Sequence, residues 1–479
     1  MQDLQGVTKD VLREVVPSQE EREATRRLQD KLLTKAYATV KGHYAIEPIF
    51  CGSIAKGTWL AGTKDIDLFL MFREQVSRDD LERIGLQVAK EICEGLGGRW
   101  EIAYAEHPYL RAEIEGHKVD IVPSYDVADA SKIKSAVDRT PHHVRYVLSA
   151  LDKNLLNDVR LLKKFCEGAG VYGSDLKTEG FSGYLCELLV IEYGTFESVL
   201  QAAKEWNPGT VIDIEKHYEG PRNEVSGHRN AERSVGNKNF HKDPLVVIDP
   251  VDHNRNVASV LSLENFFVFT KKAREFLEDP KLSAFFRLPP TPLTIDDIAK
   301  HVNERQTRFV FVRFATPDVL EDVLWPQLRK CTERMRGLLE ENEFEVLRTG
   351  VWSDDAATVL VIELLVDELP SIRKRRGPSA FDAVNSKKFL DHYKGYNVFI
   401  EDEFWVVELA RRHRSAIDLL KELLSENEPA LRAGGIPSRI AEAIHEDVEI
   451  ATGEHVLRLL RRYDGLRKYM YHYFHKNLV

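Results

Sequence analysis

The sequence contains no uninterrupted apolar run near the roughly 20 residues that a bilayer-spanning helix needs, so a conventional membrane protein is not expected. Its start, Met1-Gln2-Asp3-Leu4-Gln5-Gly6, lacks the basic residues and apolar stretch of a secretion signal, which points to the cytoplasm. Cysteine is scarce. The five present, Cys51, Cys93, Cys166, Cys186 and Cys331, are odd in number, widely spaced and mostly flanked by apolar residues. Buried thiols fit this pattern better than a disulfide framework or a zinc site. There is no internal repeat and no low-complexity tract, and the formal net charge of −10 shows no basic excess. Taken alone, that charge argues against a nucleic-acid partner.

What is present describes a soluble globular chain, with 43% hydrophobic and 30% charged residues in 479, long enough for about three or four domains. The basic residues gather late, at Arg373-Lys374-Arg375-Arg376, at Arg411-Arg412-His413-Arg414, and from Arg458 through Arg461, Arg462, Arg467 and Lys468 to Lys476. The last stretch interleaves Tyr463, Tyr469, Tyr471, Tyr473 and Phe474. Aromatics among cations can stack on bases while the cations meet phosphates; an amphipathic helix with a solvated basic face accounts for the stretch equally well.

The pattern that bears most on chemistry is Gly52-Ser53 followed by Asp65-Ile66-Asp67, with a third aspartate in Lys118-Val119-Asp120-Ile121-Val122. A strand over Asp65–Phe72 puts Asp65 and Asp67 on one face, with Ile66, Leu68, Leu70 and Phe72 on the other. Asp-x-Asp by itself is more often a solvated strand edge. With Asp120 on a strand of its own, three carboxylates can hold two Mg2+ ions, because hard divalent cations take oxygen ligands. Two such ions suit nucleotidyl transfer onto a hydroxyl. Gly52 lets the backbone approach a triphosphate, and the Ser53 hydroxyl and nearby amides can donate to its oxygens.

Around these residues the pattern reads as a helix from Ser18 to about Tyr37, a strand at 46–51, and a helix from Ser77 to about Gly95. Strands follow at 100–105, 109–114 and 118–122. From Thr140 to about Lys272 the chain reads as mainly helical, including 157–167 and 182–193, with a polar loop at 225–243. Pro289-Pro290-Thr291-Pro292 reads as a linker. Strand, helix, strand and strand at 308–314, 326–342, 344–348 and 358–365 form a small α+β module, and helices at 416–424 and 437–444 precede the basic end.

This arrangement of acids resembles the DNA polymerase β-like nucleotidyltransferases. Further motifs narrow the likeness: Cys51-Gly52-Ser53-Ile54-Ala55-Lys56-Gly57-Thr58-Trp59, Asp138-Arg139-Thr140-Pro141-His142-His143, Val159-Arg160-Leu161-Leu162-Lys163, Gly170-Val171-Tyr172-Gly173, and Gly180-Phe181-Ser182-Gly183-Tyr184-Leu185-Cys186-Glu187. With Asp249-Pro250-Val251-Asp252, Arg255-Asn256-Val257-Ala258, Arg375-Arg376-Gly377-Pro378 and Phe381, they resemble the class I, archaeal-type CCA-adding tRNA nucleotidyltransferases over nearly the whole chain.

The resemblance implies an α+β multidomain protein in four parts: a nucleotidyltransferase head (1–145), a mainly helical central nucleotide-binding domain (146–275), a small α+β, RRM-like body (276–385) and a helical tRNA-binding tail (386–479). It implies addition of C, C and A to the 3′ end of tRNA from CTP and ATP, without a template and with pyrophosphate released. Asp65, Asp67 and Asp120 would be the catalytic metal ligands. Gly52, Ser53, Lys56, His143, Lys163 and Tyr172 would contact the nucleotide, with Arg255 a candidate reader of its base and Arg375 and Arg376 candidates for tRNA. Lys56 stands where the family commonly has arginine, and a lysine ammonium offers phosphate a point charge in place of a bidentate fork. The 225–243 stretch is longer than usual. Dimers are common in the family, so a homodimer is a possibility. The alternatives are another terminal RNA nucleotidyltransferase, such as a poly(A) polymerase with its similar Phe-Ser-Gly-Tyr pattern, or a catalytically silent RNA-binding protein.

Overall fold

The alternation in Asp65–Arg73 is realised as an inner strand of a five-stranded sheet. The computed structural model describes residues 3–41, 46–104, 106–218, 243–286 and 293–475, and they divide into two units, 1–288 and 289–479. In the first unit the strands β1 (Ile46–Cys51), β2 (Asp65–Arg73), β3 (Arg99–Tyr104), β4 (Pro108–Ile114) and β5 (His117–Asp126) lie in the order β1-β2-β5-β4-β3. Only β2 and β5 run parallel within this sheet. Ile66, Leu68, Leu70 and Phe72 face helices Gln19–Val40 and Arg78–Gly95, whose Leu28, Leu32, Val88 and Ile92 close one core. Each helix starts where its capping serine, Ser18 or Ser77, accepts a backbone N–H. That core leaves the opposite face of β2 for Asp65 and Asp67.

The central part is helical, as expected, with Leu156–Ala169, Gly183–Tyr193, Phe196–Ala203 and Leu263–Glu278 around one aromatic core. Phe165 is its hub, with the rings of Phe196, Phe269, Phe276 and Phe285 all within 6.0 Å. Helix Leu4–Val15 packs into this core through Val7, Val11 and Val15, although it precedes the head in sequence. A small sheet of β6 (Thr210–Ile212), β7 (Leu245–Asp249) and β8 (Asp252–Asn256) flanks it. The loop expected at 225–243 and the linker expected at 289–292 lie outside the described residues, apart from Asp243.

In the second unit β9 (Arg308–Ala315), β10 (Val346–Ser353) and β11 (Ala357–Leu364) are joined by β15 (Val448–Thr452) in the order β10-β11-β9-β15. Every residue of β11 is buried, because helices cover both faces of the sheet. Helix Glu321–Glu341 begins five residues before Pro326, where sequence reading started it; the proline is held inside the helix. The tail is mainly helical, yet β15 pairs with β9. A second sheet, β12 (Ile372–Ser379), β14 (Phe404–Ala410) and β13 (Asn397–Glu401), crosses the expected body–tail limit, which falls within helix Ala383–His392. The expected limit at 275 similarly falls within helix Leu263–Glu278.

The C-terminal aromatics turn inward more than a base-stacking surface requires. Tyr473 is buried and its hydroxyl donates to Glu363, Tyr469 packs against Gly350, and Phe474 stacks on His301. The amphipathic-helix reading therefore accounts for these three. All five cysteines are buried and free. Among the described residues no helix is long and apolar enough to cross a membrane.

Candidate active site

The register of the head sheet sets its acids side by side. In the parallel pair, Asp67 of β2 lies opposite Asp120 of β5, and Asp65 lies opposite Lys118. The strand period keeps Asp65, Asp67 and Asp120 on one face. Burial, followed by the charges of Asp120 and Asp65, pushes the Asp67 carboxyl up to about 6. Burial also raises Asp120, opposed by Arg111 across the antiparallel β4–β5 pair, whose guanidinium lies 3.4 Å away. Among the described residues no three acidic, histidine or cysteine side chains form a ready metal-ligand set. The donors nevertheless fit a hard divalent cation: they are carboxylate oxygens, and their crowding is relieved by added positive charge.

Beside them β1 ends in Cys51, and the chain folds straight into one helical turn over Gly52–Lys56. Gly52 has φ +71°, and a Cβ there would lie 1.8 Å from Asp67 Oδ2. Only glycine lets the turn pass this close to the acid. Ser53 follows it, half-buried, on the same turn.

The next residues are gripped by two central helices. From Leu156–Ala169, Arg160 donates to the carbonyls of Gly57 and Trp59, at 2.5 and 2.9 Å. Lys163, three residues on, donates to the carbonyl and hydroxyl of Thr58, at 3.2 and 3.0 Å, and to Glu187 Oε1 at 3.2 Å. An ammonium has three hydrogens, so all those of Lys163 are engaged within the protein, and its side chain is only 2% exposed. Glu187, on Gly183–Tyr193, also accepts from Thr58 and Lys56, each at 2.5 Å. Burial penalises its charge, but Lys163 and Lys56 outweigh that and hold the carboxyl below its ordinary value. Burial pulls Lys163 down against the opposing charge of Glu187.

A second buried acid gathers other motif residues. Asp249, at the end of β7, accepts from His143 Nε2 at 2.9 Å, Arg255 Nη1 at 2.9 Å and the Tyr184 hydroxyl at 3.1 Å. His143 stacks on Tyr184 with ring centres 4.0 Å apart. Burial lowers the His143 imidazole despite Asp249. A neutral ring that donates through Nε2 presents Nδ1 as an acceptor, so donation to a phosphate oxygen needs a second proton. Tyr172 is half-buried near the start of Gly183–Tyr193: a Cβ on Gly183 would meet its hydroxyl at 3.1 Å and Lys163 Nζ at 3.4 Å. Arg375 and Arg376 lie exposed on β12 of the second unit, their guanidinium groups 5.9 Å from the Tyr393 ring and 3.5 Å from the Phe404 ring.

Three family models match consecutive stretches: a nucleotidyltransferase domain over residues 41–143, a tRNA nucleotidyltransferase second domain over 157–286, and a CCA-adding enzyme C-terminal domain over 305–453. Among curated proteins, the CCA-adding enzyme of Methanosarcina barkeri is 40% identical over 460 residues, covering 95% of each chain. The chain belongs to the CCA-adding enzyme family. The corresponding enzyme of Methanothermobacter thermautotrophicus is 38% identical, covering 92% of this chain and 91% of its own. Among solved structures, a Cid1 poly(U) polymerase aligns at 15% identity with a TM-score of 0.43, over 57% of this chain and 92% of that one.

This CCA-adding family member thus has a nucleotidyltransferase head, and enzymes with that head generally use divalent metal ions. Sequence reasoning assigned no role to Glu187, Asp249, Thr58 or Arg111, although the first three lie in motifs it quoted. Glu187 had a visible signal as the one charge in Leu185-Cys186-Glu187-Leu188-Leu189-Val190, and Asp249 as the acid ending Leu245-Val246-Val247-Ile248. Arg111 had none, because its place beside Asp120 depends on strand register.

Proposed function

We propose that this protein rebuilds the 3′ CCA end of tRNA from CTP and ATP, adding C, C and A without a template and releasing pyrophosphate. The observation that carries the reading is the 40% identity to a CCA-adding enzyme over 95% of both chains, and the acid register of β2 and β5 supports it chemically. Asp65, Asp67 and Asp120 would hold two Mg2+ ions, which when bound would neutralise charge on the attacking 3′-oxygen and the leaving pyrophosphate.

The chain's own groups orient the substrates. Gly52 leaves the turn open, Ser53 offers a hydroxyl, and Lys56 offers ammonium hydrogens toward the triphosphate. Lys56 meets phosphate as a point charge rather than a two-pronged fork. His143 binds a phosphate oxygen once doubly protonated, a change that the phosphate charge itself favours. Arg255 reads the base edge and Tyr172 lies against the nucleotide. Lys163, with its hydrogens engaged by Thr58 and Glu187, acts by fixing the turn. Arg375 and Arg376 meet tRNA phosphates, and a cytoplasmic location and a homodimer belong to the same reading.

Incubation of the protein and Mg2+ with a tRNA transcript lacking its CCA end, resolved at single-nucleotide length, tests the proposal. Two additions with CTP alone and three with CTP and ATP are expected. A long ladder with ATP alone would identify a poly(A) polymerase, and no extension would leave a silent RNA binder.

A further inference from the structure

Glu187 is fully buried, and a carboxylate out of water persists only where donors replace its hydration. Its donors all serve one segment of backbone. Oε1 takes the Thr58 hydroxyl and Lys163, and Oε2 takes Lys56. Thr58 closes the segment that begins at Gly52, and Lys56 is the last residue of its helical turn. The carbonyls of Gly57, Thr58 and Trp59 are held by Arg160 and Lys163. The backbone is therefore fixed by one helix, while Glu187 reaches from the next to set the two side chains.

In the proposed function Lys56 is where this arrangement meets substrate. Its side chain is 9% exposed, and one of its three ammonium hydrogens is directed at Glu187. That bond fixes the direction of the remaining two. A flexible four-carbon lysine stem otherwise loses much rotamer freedom on meeting a phosphate. An anchored one has already lost it, and anchoring lowers the entropic cost of binding.

We propose that Glu187 is a positioning residue for the nucleoside triphosphate: through Lys56 and Thr58 it presets the Gly52–Thr58 segment, and Lys163 serves as the buried countercharge that keeps Glu187 ionised. The inference rests on the proposed nucleotidyl transfer and adds to it a group that touches no substrate. It predicts that loss of Glu187 weakens CTP and ATP use together, without altering which is chosen.

The test uses the full chain and a tRNA transcript lacking CCA. Wild-type protein that fails to extend this tRNA would defeat the proposed function, not this inference. With wild type active, Glu187→Gln should raise KM for CTP and for ATP by about tenfold, with KM for tRNA changed by less than about twofold. In a Lys56→Met background the same substitution should add at most the roughly threefold rise carried by Thr58, since both changes remove the Glu187–Lys56 bond. Glu187→Gln also strands the buried Lys163 charge, so its effect on folding is separated with Glu187→Gln/Lys163→Met. That pair should unfold at a higher temperature than Glu187→Gln alone, because no buried charge is stranded, while both nucleotide KM values stay high. Wild-type nucleotide KM values in the folded pair would overturn the proposal, as would full additivity with Lys56→Met. If neither Glu187 variant folds, Thr58→Val decides, because it keeps every charge: a rise of about threefold in both KM values supports the proposal, and no change overturns it.

Discussion

The acids of the head and those of the central part lie in the same unit, yet their electrostatics differ in kind. Asp67 is crowded by Asp120 and Asp65 and pushed upward to about 6. Glu187 and Asp249 are more deeply buried, with side chains fully excluded from solvent, and are nevertheless held below their ordinary values. The difference is in their donors. Asp249 has histidine, arginine and tyrosine around it and Glu187 has two lysines and a threonine, whereas in the head Arg111 divides its charge between Asp120, at 3.4 Å, and Glu101, at 3.8 Å. Buried acids with complete donor shells hold other side chains in place. Acids left short of positive charge are the ones with capacity for a cation.

The sharpest way to break this comparison is Asp67→Asn. Nucleotide addition should fall by about a thousandfold or more, because an electrostatic group at the reacting centre is lost. Transfer RNA binding should persist in a filter or anisotropy assay. Near-normal turnover would remove Asp67 from the metal site.

Asp249→Asn attacks the saturated class instead. Removing one charge from a buried cluster should cost up to about 3 kcal/mol, read by denaturant unfolding. It should also change the pH response. The folded chain holds Asp249 and Glu187 below ordinary carboxylate values and His143 below the ordinary imidazole value. In each case the unfolded chain binds more protons in the intervening range, so stability present at neutral pH is lost as pH falls. The loss begins below about 6.5 through His143 and steepens below about 4 through the carboxylates. Without Asp249 nothing holds the His143 imidazole up against burial, so thermal unfolding should depend on pH more steeply between 7 and about 4 in Asp249→Asn than in wild type, and less steeply below about 4, where the Asp249 carboxylate no longer titrates; parallel profiles would show that this cluster does not control acid stability.

Smaller effects are expected away from the buried acids. Arg375→Glu with Arg376→Glu should weaken tRNA binding and reduce the slope of log affinity against log salt by about one for each phosphate that is no longer neutralised. An unchanged slope would take β12 out of the RNA interface. Arg255→Ala should blur discrimination of CTP and ATP from UTP and GTP by about tenfold, the scale of one hydrogen-bonded base edge. If selectivity survives, the guanidinium serves Asp249 alone.

Much of the fold is legible from pattern. The period of two in Asp65–Phe72 identified both faces of β2, and Ser18 and Ser77 marked their helix starts, because local geometry carries those signals. Helix 416–424 matches Ala416–Leu424 for the same reason. The entry of Val448–Thr452 into the sheet of β9 was not legible, since strand partners more than a hundred residues apart leave no local trace. Nor was the inward turn of Tyr469 and Tyr473, which a helical period allows but only a packed neighbour decides. At the site, Asp65, Asp67 and Asp120 could be read as a set, whereas the bonds of Lys163 to Thr58 and Glu187 could not, because those partners come from separate segments of the chain.

The acid-bearing strand, the glycine before Ser53, the amphipathic helices and the family to which the chain is related are all written in the order of residues. These depend on residue type and short-range spacing, which the chain carries whether or not it is folded. Tertiary structure alone decided which charges meet: Asp67 opposite Asp120, Arg111 beside it, Glu187 between Lys56 and Lys163, and Asp249 between His143 and Arg255. The energy of a charge depends on its distance from others and on the water removed around it, and both are fixed only when distant segments pack.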